Sequence, residues 1–429
     1  MNTKSFIYTL LMVLFVLLSF TACNLGEKIN DPNLEIANPP KVVRLERFNS
    51  CDDFVSDYRS VLKEYVDESL DSYSECSSYE LGGGGDDVES SSMDSDGVMA
   101  SPESGSDSGA SFTGTNLQEG GVDEADLMKS DGEYIYLASS GGVSIYKAWP
   151  LAAFGLIAEI DLDYDASELF LYNNKLISIS SYRSEDSYYA HYTRINVIDI
   201  TDPASAIVEE VKDIPGLYKS SRLVDGVLHV ALANYTNYNL TYPTYDYMDK
   251  SSSCSGDASA TARLNAAINT ARADNYAKID TLSIDDIIVS NEATVGVSID
   301  CANLYGDGAT GITNITGLFS LNLGDDISQE KLSFVRGYTA HVYASTQAVY
   351  LAGTESYNNT YFHRFAINAT GLHAYTGSGA VSGYIKDSFS MSEYENTFRI
   401  ATTVGSFWTT STMYNNVYVL DATKSEITE

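Results

Sequence analysis

Positive charge is scarce in this sequence. Lys and Arg together number 25 against 59 Asp and Glu, so the 429-residue chain carries a formal charge of −34 at pH 7. A negative field of this size repels phosphate, which argues against nucleic acid and anionic lipid surfaces as partners. The acidity instead favours solubility, divalent cations or basic partners.

Histidine, tryptophan and recognisable catalytic motifs are also few. The chain has 5 His and 2 Trp, and the histidines form no HxxxH or HExxH pattern. His229 and His341 stand in LHVAL and AHVYA, which predicts strand positions for both. No GxSxG, P-loop or dinucleotide fingerprint follows a predicted strand. With 59 carboxylates in the chain, no single pair can be identified as a catalytic acid and base. The sequence therefore predicts no particular reaction.

The N-terminus has the pattern of a secretory signal. Lys4 supplies a positive start, and the apolar run Phe6–Phe20 is too short to be a typical membrane span. Thr21 and Ala22 then precede Cys23, an ending that resembles a bacterial lipobox. The resemblance implies a lipoprotein signal peptide over residues 1–22 and lipidation of the Cys23 thiol, which would anchor the chain permanently in a membrane.

The alternative to lipidation is a secreted protein with a free N-terminal Cys23. Asn24 is not the Asp that commonly retains lipoproteins at the inner membrane, so we expect the cell envelope, and the outer membrane rather than the inner. Residues 23–45 are largely polar and contain three prolines, which is typical of a tether.

Four further cysteines are expected to form structural disulfides in an oxidising compartment. They are Cys51, Cys76, Cys254 and Cys301. Three connectivities are open, and proximity in sequence favours Cys51–Cys76 and Cys254–Cys301. A metal site would need closely spaced cysteines and nearby histidine, and the sequence has neither.

Two segments precede the main domain. Residues 46–80 contain apolar side chains at three- and four-residue steps after Asn49 and Ser50, which predicts a capped amphipathic helix in a small helical segment. Residues 81–115 are dominated by Gly, Ser, Asp and Glu, and cannot bury enough apolar surface to offset chain entropy. We predict a disordered linker there.

Residues 116–429 show repeated short strands. SDGEYIYLA, YNNKLISIS, VDGVLHVAL, STQAVYLAG and YENTFRIAT each place a turn before a strand, and a second strand with a polar turn lies between them. Units of about 40–50 residues with several strands are typical of a β-propeller. The fold class is therefore all-β, with four-stranded antiparallel blades. A longer third unit indicates an insertion at about 236–312, which contains a predicted helix at 260–277.

The number of units leaves ring closure open. Five units are visible, and the last is followed by few residues. Either a four-blade ring closes with extra strands, or the chain is the N-terminal portion of a longer propeller. We favour the longer propeller.

The stretch TNLQEGGVDEADLMKSDGEYIYL resembles the hallmark of the bacterial and archaeal secreted β-propeller family that is distantly similar to WD40 repeats. The matching positions are Thr115, Asn116, Gln118, Gly121, Val122, Asp123, Glu124, Ala125, Asp126, Lys129, Asp131, Gly132, Tyr134, Ile135 and Tyr136. The similarity extends over roughly residues 42–429. The resemblance implies a β-propeller fold and a secreted location, but it implies no particular activity.

The same stretch holds the strongest candidate site. Asp123, Glu124, Asp126 and Asp131 could supply oxygen ligands to a cation, and calcium is the cation that such a cluster would suit. The spacing is not that of an EF-hand loop. We favour a structural clasp at the entrance to the ring, with a calcium site second and acid/base catalysis third.

A Tyr-rich run, YTNYNLTYPTYDY, opens the insertion. Tyr235, Tyr238, Tyr242, Tyr245 and Tyr247 are the candidate recognition surface, because tyrosine supplies contact area at low entropy cost. The alternative is a polar loop whose rings pack on the adjacent blade.

These features predict an envelope-anchored lipoprotein with a non-catalytic binding or scaffolding role. Its expected partners are the membrane, through the anchor, and an envelope protein or glycan. The alternative is a calcium-dependent hydrolase or a glycan-active propeller enzyme.

Overall fold

The structure is a computed structural model, and the described residues belong to one unit, Pro40–Glu429. Described are residues 40–74, 117–184, 190–234, 238–244, 247–288, 297–306, 314–324, 329–337, 339–355, 358–405 and 413–428. The predicted signal peptide, Cys23, most of the tether, Cys76 and the predicted linker lie outside these ranges. Within them, no helix has the length and apolar character needed to cross a membrane.

Five antiparallel sheets follow one another along the chain, and we call them blades 1 to 5. Before them come two short strands, β1 (Glu46–Arg47) and β2 (Val122–Glu124). Blade 1 contains β3 (Met128–Ser130), β4 (Tyr134–Ser139), β5 (Gly142–Lys147) and β6 (Gly155–Asp161). Blade 2 contains β7 (Glu168–Tyr172), β8 (Lys175–Arg183), β9 (His191–Asp199) and β10 (Ile207–Pro215). In both blades the strands pair in chain order.

Blade 3 carries the insertion. Its four main strands are β11 (Leu217–Val224), β12 (Val227–Asn234), β14 (Ile315–Asn322) and β15 (Glu330–Arg336). Between β12 and β14 the chain adds β13 (Leu304–Gly306), which pairs in parallel with β15 and antiparallel with β1. On the opposite edge β2 pairs with β11, so the sheet reads β1-β13-β15-β14-β12-β11-β2.

The last two blades complete the series. Blade 4 contains β16 (His341–Ala344), β17 (Ala348–Glu355), β18 (Asn359–Ile367) and β19 (His373–Ser382). Blade 5 contains β20 (Met391–Tyr394), β21 (Thr397–Val404) and β22 (Tyr414–Asp421). A final short strand, β23 (Glu426–Ile427), pairs in parallel with β19. The all-β class predicted from the repeats is confirmed.

Helices from two distant parts of the chain form one layer beside blades 2 and 3. They are α1 (Cys51–Asp71), α2 (Tyr247–Cys254), α3 (Ala258–Ile279) and α4 (Ile284–Ile288). The predicted insertion helix is confirmed as α3. Arg272 of α3 contacts Asp67 and Asp71 of α1, both at 2.7 Å, so the insertion is fastened to the N-terminal helix.

Helix α1 forms for the reasons that its sequence suggests. The Ser50 side chain accepts a hydrogen bond from the Asp53 backbone N–H at 3.1 Å, which caps the helix. Apolar residues at helical spacing, among them Phe54, Tyr58 and Leu62, are buried against the inner layers of blades 2 and 3. Leu45, the last residue of the predicted tether, is buried in the core as well.

The core consists of successive layers between neighbouring blades. Both faces of a strand contribute, since Leu176 packs towards blade 1 while the adjacent Ile177 packs towards blade 3. Similarly, Val349 of blade 4 faces blade 3 and Tyr350 faces blade 5. Each sheet covers the next, which is the packing expected of propeller blades.

Buried cations lie at several of the blade boundaries. Lys212 of blade 2 contacts Glu330 of blade 3 at 2.9 Å, and Arg364 of blade 4 contacts Glu393 of blade 5 at 2.9 Å. Arg336, only 1% exposed, contacts Asp57 of α1 at 3.1 Å. Breaking a buried ion pair leaves an uncompensated charge, so these pairs oppose separation of the blades.

The disulfide pairing favoured by proximity is wrong. Cys51 is bonded to Cys301, across 250 positions of sequence, with Cα atoms 5.0 Å apart. Cys254 is also disulfide-bonded, so it does not pair with Cys301 as expected. The reason lies in the tertiary structure. Pairing of β1 with β13 brings the start of α1 to the end of the insertion, whereas the intervening helix carries the chain roughly 30 Å away from Cys51.

Replacing Cys301 with Ser should lower the free energy of unfolding by about 2–5 kcal/mol, because the bond closes a very long loop. Urea unfolding of the oxidised full chain measures this change. Cys51→Ser and the double variant should give the same loss as the single change. Additive losses in the double variant would show that the two cysteines have different partners.

Candidate functional site

The stretch of residues 117–130, which we call the inner segment, runs across the first strands of the blades. At blade 5 the Gln118 side chain donates hydrogen bonds to the backbone carbonyls of Ser388 and Met391, at 2.8 and 3.3 Å. At blade 4 the Tyr343 hydroxyl donates to Oε1 of Glu119 at 2.6 Å. The consecutive residues Gln118 and Glu119 therefore contact the beginnings of two neighbouring blades.

The segment then continues across the remaining blades. In blade 3, β2 pairs with β11, and Asp123 stands opposite Leu223. At blade 2 Asp126 forms an isolated bridge with Leu169, with backbone hydrogen bonds of 2.8 and 3.3 Å. Met128 then begins β3 of blade 1. Within eleven positions, from Gln118 to Met128, the inner segment thus contacts all five blades in the reverse of their chain order.

Gly121 provides the conformation that lets the segment pass. Its φ of +83° lies in the left-handed region, and a Cβ at this position would stand 3.1 Å from Cγ2 of Thr346 in blade 4. A side chain here would be strained and would crowd blade 4.

The predicted carboxylates contact cations and backbone groups of the protein itself. Asp123 contacts Nζ of Lys129 at 2.8 Å, and the same ammonium donates to the Glu124 carbonyl at 2.6 Å. Lys129 is buried, with its ammonium 5.5 Å from the centre of the Phe170 ring. The carboxylate of Glu124 lies 3.3 Å from the Arg222 guanidinium.

Asp131 closes the turn into β4. Its Oδ1 accepts hydrogen bonds from the backbone N–H groups of Glu133 and Tyr134, at 2.9 and 2.7 Å. Its Oδ2 accepts from the Tyr136 hydroxyl at 3.0 Å. Burial, followed by the neighbouring Asp131 charge, raises the pKa of Tyr136 far above its ordinary value. Both carboxylate oxygens of Asp131 are thus engaged by groups of its own hairpin.

In the part of the chain that the structure describes, no group of three or more His, Cys, Asp or Glu side chains is arranged to hold a metal ion. Asp123, Glu124 and Asp126 lie in the inner segment, whereas Asp131 lies just beyond it in the β3–β4 turn. Asp123, Glu124 and Asp131 make contacts that a structural clasp would make, and the cation site stays a prediction.

One acidic group near the segment was missed by sequence reasoning. Glu168, at the start of β7, accepts a hydrogen bond from the Tyr218 hydroxyl, which also contacts Ser221 Oγ at 2.7 Å. Burial raises the pKa of the Glu168 carboxyl, and the hydrogen bond from Tyr218 partly counteracts this rise. The two residues lie 50 positions apart in different blades, and no local pattern links them.

Buried histidines and serines form a chain between blades 3 and 4. Ser320 Oγ lies 2.7 Å from Nδ1 of His229 and 2.6 Å from Nδ1 of His373, whose Nε2 lies 2.8 Å from Ser333 Oγ. Burial lowers the pKa of His229 to about 4 and that of His373 well below its ordinary value. Ser320 is fully buried, so the chain is a structural contact and has no access to a substrate.

The candidate recognition tyrosines are dispersed. Tyr238 points inward, with its hydroxyl 2.5 Å from that of Tyr58 on α1, whereas Tyr242 is 57% exposed. Tyr247 begins α2. Tyr235 and Tyr245 lie outside the described residues.

A family model described as a β-propeller domain matches residues 112–428. The match covers well over half of the chain and includes the inner segment and all five blades. The chain belongs to the β-propeller domain family, and the resemblance seen in the sequence is confirmed at that level.

An uncharacterised protein of Methanocaldococcus jannaschii is 24% identical over 351 residues, which are 72% of this chain and 53% of the relative. The chain thus spans about half the length of that curated relative.

Two solved structures show similarity at low sequence identity. One is a hypothetical selenium-binding protein from Sulfolobus tokodaii, with 8% identity and a TM-score of 0.29, covering 67% of this chain and 59% of that one. The other is Hsv2 from Kluyveromyces marxianus, with 9% identity and a TM-score of 0.22, covering 66% and 79%. Superpositions with such low scores support no conclusion about function.

Replacing Asp123 with Asn should lower the free energy of unfolding by about 1–3 kcal/mol, because buried Lys129 then loses a charged partner. The loss should be equal in EDTA and in calcium chloride, measured by urea unfolding. Asp161→Asn, at an exposed carboxylate of β6, is the matched control and should have little effect. A loss that appears only with calcium present would contradict the clasp and favour a cation site.

Acid should destabilise the fold through its buried histidines. Burial lowers the pKa of His229 and of His363 to about 4 each, whereas an unfolded histidine titrates near 6.5. The unfolded chain therefore binds more protons between pH 6.5 and 4, and stability falls as the pH falls through that window. Each histidine contributes up to about 3 kcal/mol to this loss.

The measurement is the urea midpoint at several pH values for the parent chain and for His363→Gln. The variant should lose less stability between pH 6.5 and 4.5, since one titrating group is gone. Equal slopes for both chains would show that His363 does not titrate as its burial requires.

Proposed function

We propose that this protein is an envelope-anchored β-propeller lipoprotein that acts by binding or scaffolding rather than by catalysis. The proposal rests on one observation, which is that the carboxylates of the inner segment contact groups of the protein itself. Asp123 contacts Lys129 of blade 1 and Glu124 contacts Arg222 of blade 3, so these two carboxylates join the segment to two blades. Because the carboxylates of this segment make structural contacts, we assign partner binding to the outer surfaces of the propeller.

The alternative function, a calcium-dependent or glycan-active hydrolase, would need carboxylates that converge on a cation or a substrate. Asp123 and Glu124 are engaged by cations of the protein, and Asp131 caps a turn. Burial raises the pKa of Glu168, but its carboxylate accepts a hydrogen bond from Tyr218, and the positive charges of Arg222 and Lys129 oppose the negative charge of Asp126 beside it. We therefore place the binding function first.

The helical insertion is the surface that we assign to partner binding. It stands beside the blades and is fastened to α1 by Arg272 and by the Cys51–Cys301 bond. Tyr242, on the approach to its helices, exposes an aromatic ring of the kind used in protein and glycan recognition. An envelope protein or a glycan fits this chemistry better than an anionic polymer, given the formal charge of −34.

Attachment to the membrane rests on the sequence pattern ending at Cys23. Replacing Cys23 with Ala should move the full chain, expressed in a bacterial host, from the detergent phase to the aqueous phase of a Triton X-114 partition. Loss of two acyl chains removes the anchoring energy of many buried methylenes. Incorporation of labelled palmitate should disappear in parallel.

Thr21→Ala is the matched control, because it keeps a small residue before Cys23 and should leave partition unchanged. An aqueous parent chain without label would contradict the anchor and support a secreted protein with a free cysteine.

A further inference from the structure

Arg47 and Lys331 lie on the same face of blade 3, near its outer edge. Strand pairing aligns Arg47 of β1 with Tyr305 of β13, and Tyr305 with Val335 of β15. Lys331 precedes Val335 on β15 by an even number of positions, so the two side chains share a face. Tyr305 and Val335 belong to the same buried cluster as Leu351 of blade 4, so this is the face that packs on blade 4. Arg47 is exposed, and Lys331 is half-buried.

The two cations lie close enough to repel each other. Burial lowers the pKa of the Lys331 ammonium, and the positive charge of Arg47 lowers it further, while the charge of Asp300 opposes this fall. Among the described residues, neither Arg47 nor Lys331 forms an ion pair. In contrast, the buried cations at other boundaries of the structure each contact a carboxylate, as Lys129, Lys212, Arg336 and Arg364 do.

The titratable groups around the pair do not neutralise it. The Asp300 carboxylate caps its own turn, since it accepts hydrogen bonds from the Ala302 backbone N–H at 2.9 Å and from the Asn303 side-chain amide at 3.0 Å. On the blade 4 side, burial lowers the pKa of His373 well below its ordinary value, so this histidine is neutral. Two neighbouring cations without a carboxylate in contact form a local site of positive potential, which attracts an anion.

We infer that Arg47 and Lys331 bind a small dianion of the phosphate type, either free phosphate or a phosphate group carried by a sugar. The guanidinium supplies a planar fork of donors and the ammonium supplies a compact positive charge, and proteins use both to bind phosphate.

The net charge of the chain limits the size of this ligand. A charge of −34 repels a polyanion over its whole length, whereas a single anion in contact with two cations is governed mainly by their nearby field. The site is separate from the helical insertion and from Cys23. The inference therefore goes beyond the proposed function and does not depend on membrane attachment.

The test is calorimetric titration of the full-length chain with inorganic phosphate and, separately, with glucose phosphate. Binding should saturate at one site per chain. Arg47→Gln and Lys331→Gln should each weaken it about tenfold or more, because a charge-assisted hydrogen bond is lost. Lys331→Arg keeps the charge and should retain most of the binding. Tighter binding of glucose phosphate would identify a sugar-borne group as the ligand, and equal binding would identify free phosphate.

Lys424→Gln is the matched control. Lys424 is an exposed lysine of blade 5 that contacts Asp421, so its removal should leave anion binding unchanged. A second readout uses the parent chain and is therefore independent of whether the variants fold. Saturating phosphate should slow acetylation of Lys331 by acetic anhydride about tenfold, because a bound anion keeps the ammonium protonated and covered. Acetylation of Lys424 should not change.

Two results would overturn the inference. The first is the absence of saturable binding of either anion at millimolar concentration, with Lys331 equally reactive in the presence and absence of phosphate. The second is binding that Lys424→Gln weakens as much as Arg47→Gln does, which would show unspecific attraction to surface cations. Detergent partition of the chain is a separate measurement, so a failure here is distinct from a failure of the proposed function.

Discussion

The rest of the structure depends on the contacts of the inner segment with the first strand of every blade. Each blade is a small sheet, and packing against a neighbouring blade covers an apolar face without by itself fixing the position of the blade's first strand. Gln118, Glu119, β2 and Asp126 provide those fixed points for blades 5, 4, 3 and 2. The stretch that resembles the family's hallmark thus contacts several blades, and two of its carboxylates, Asp123 and Glu124, contact cations of the protein.

The unusual charge composition fits the same account. Only 25 cations are available against 59 carboxylates, and several of these cations are buried at boundaries between elements. Lys129 of β3 contacts Asp123 of β2, Lys212 joins blades 2 and 3, and Arg364 joins blades 4 and 5. Between blades 3 and 4 neutral histidines and serines replace the ion pair. Among the described residues the buried acids are Asp213 and Glu393. The net negative charge of the chain produces a field that repels acidic partners.

The local features of the structure could be predicted from the sequence, whereas the contacts between residues far apart in the chain could not. Helical spacing and the Ser50 cap predicted α1, and alternating residues between turns predicted the blades and the insertion helix, because these signals lie within a few residues. The disulfide could not be predicted, since Cys51 meets Cys301 only through the pairing of β1 with β13. Glu168 and Tyr218 come together for the same reason, and the path of the inner segment depends on partners as far away as Met391.

Native-state hydrogen exchange of the Gln118→Ala variant tests the central claim most directly. Removing the Gln118 amide deletes two hydrogen bonds to blade 5 and leaves the contacts of the inner segment with blade 2 in place. The account predicts faster exchange of the amides of β20 and β21, with the amides of β8 and β9 unchanged. Unchanged exchange in blade 5 would show that the inner segment does not hold that blade, and would contradict the account.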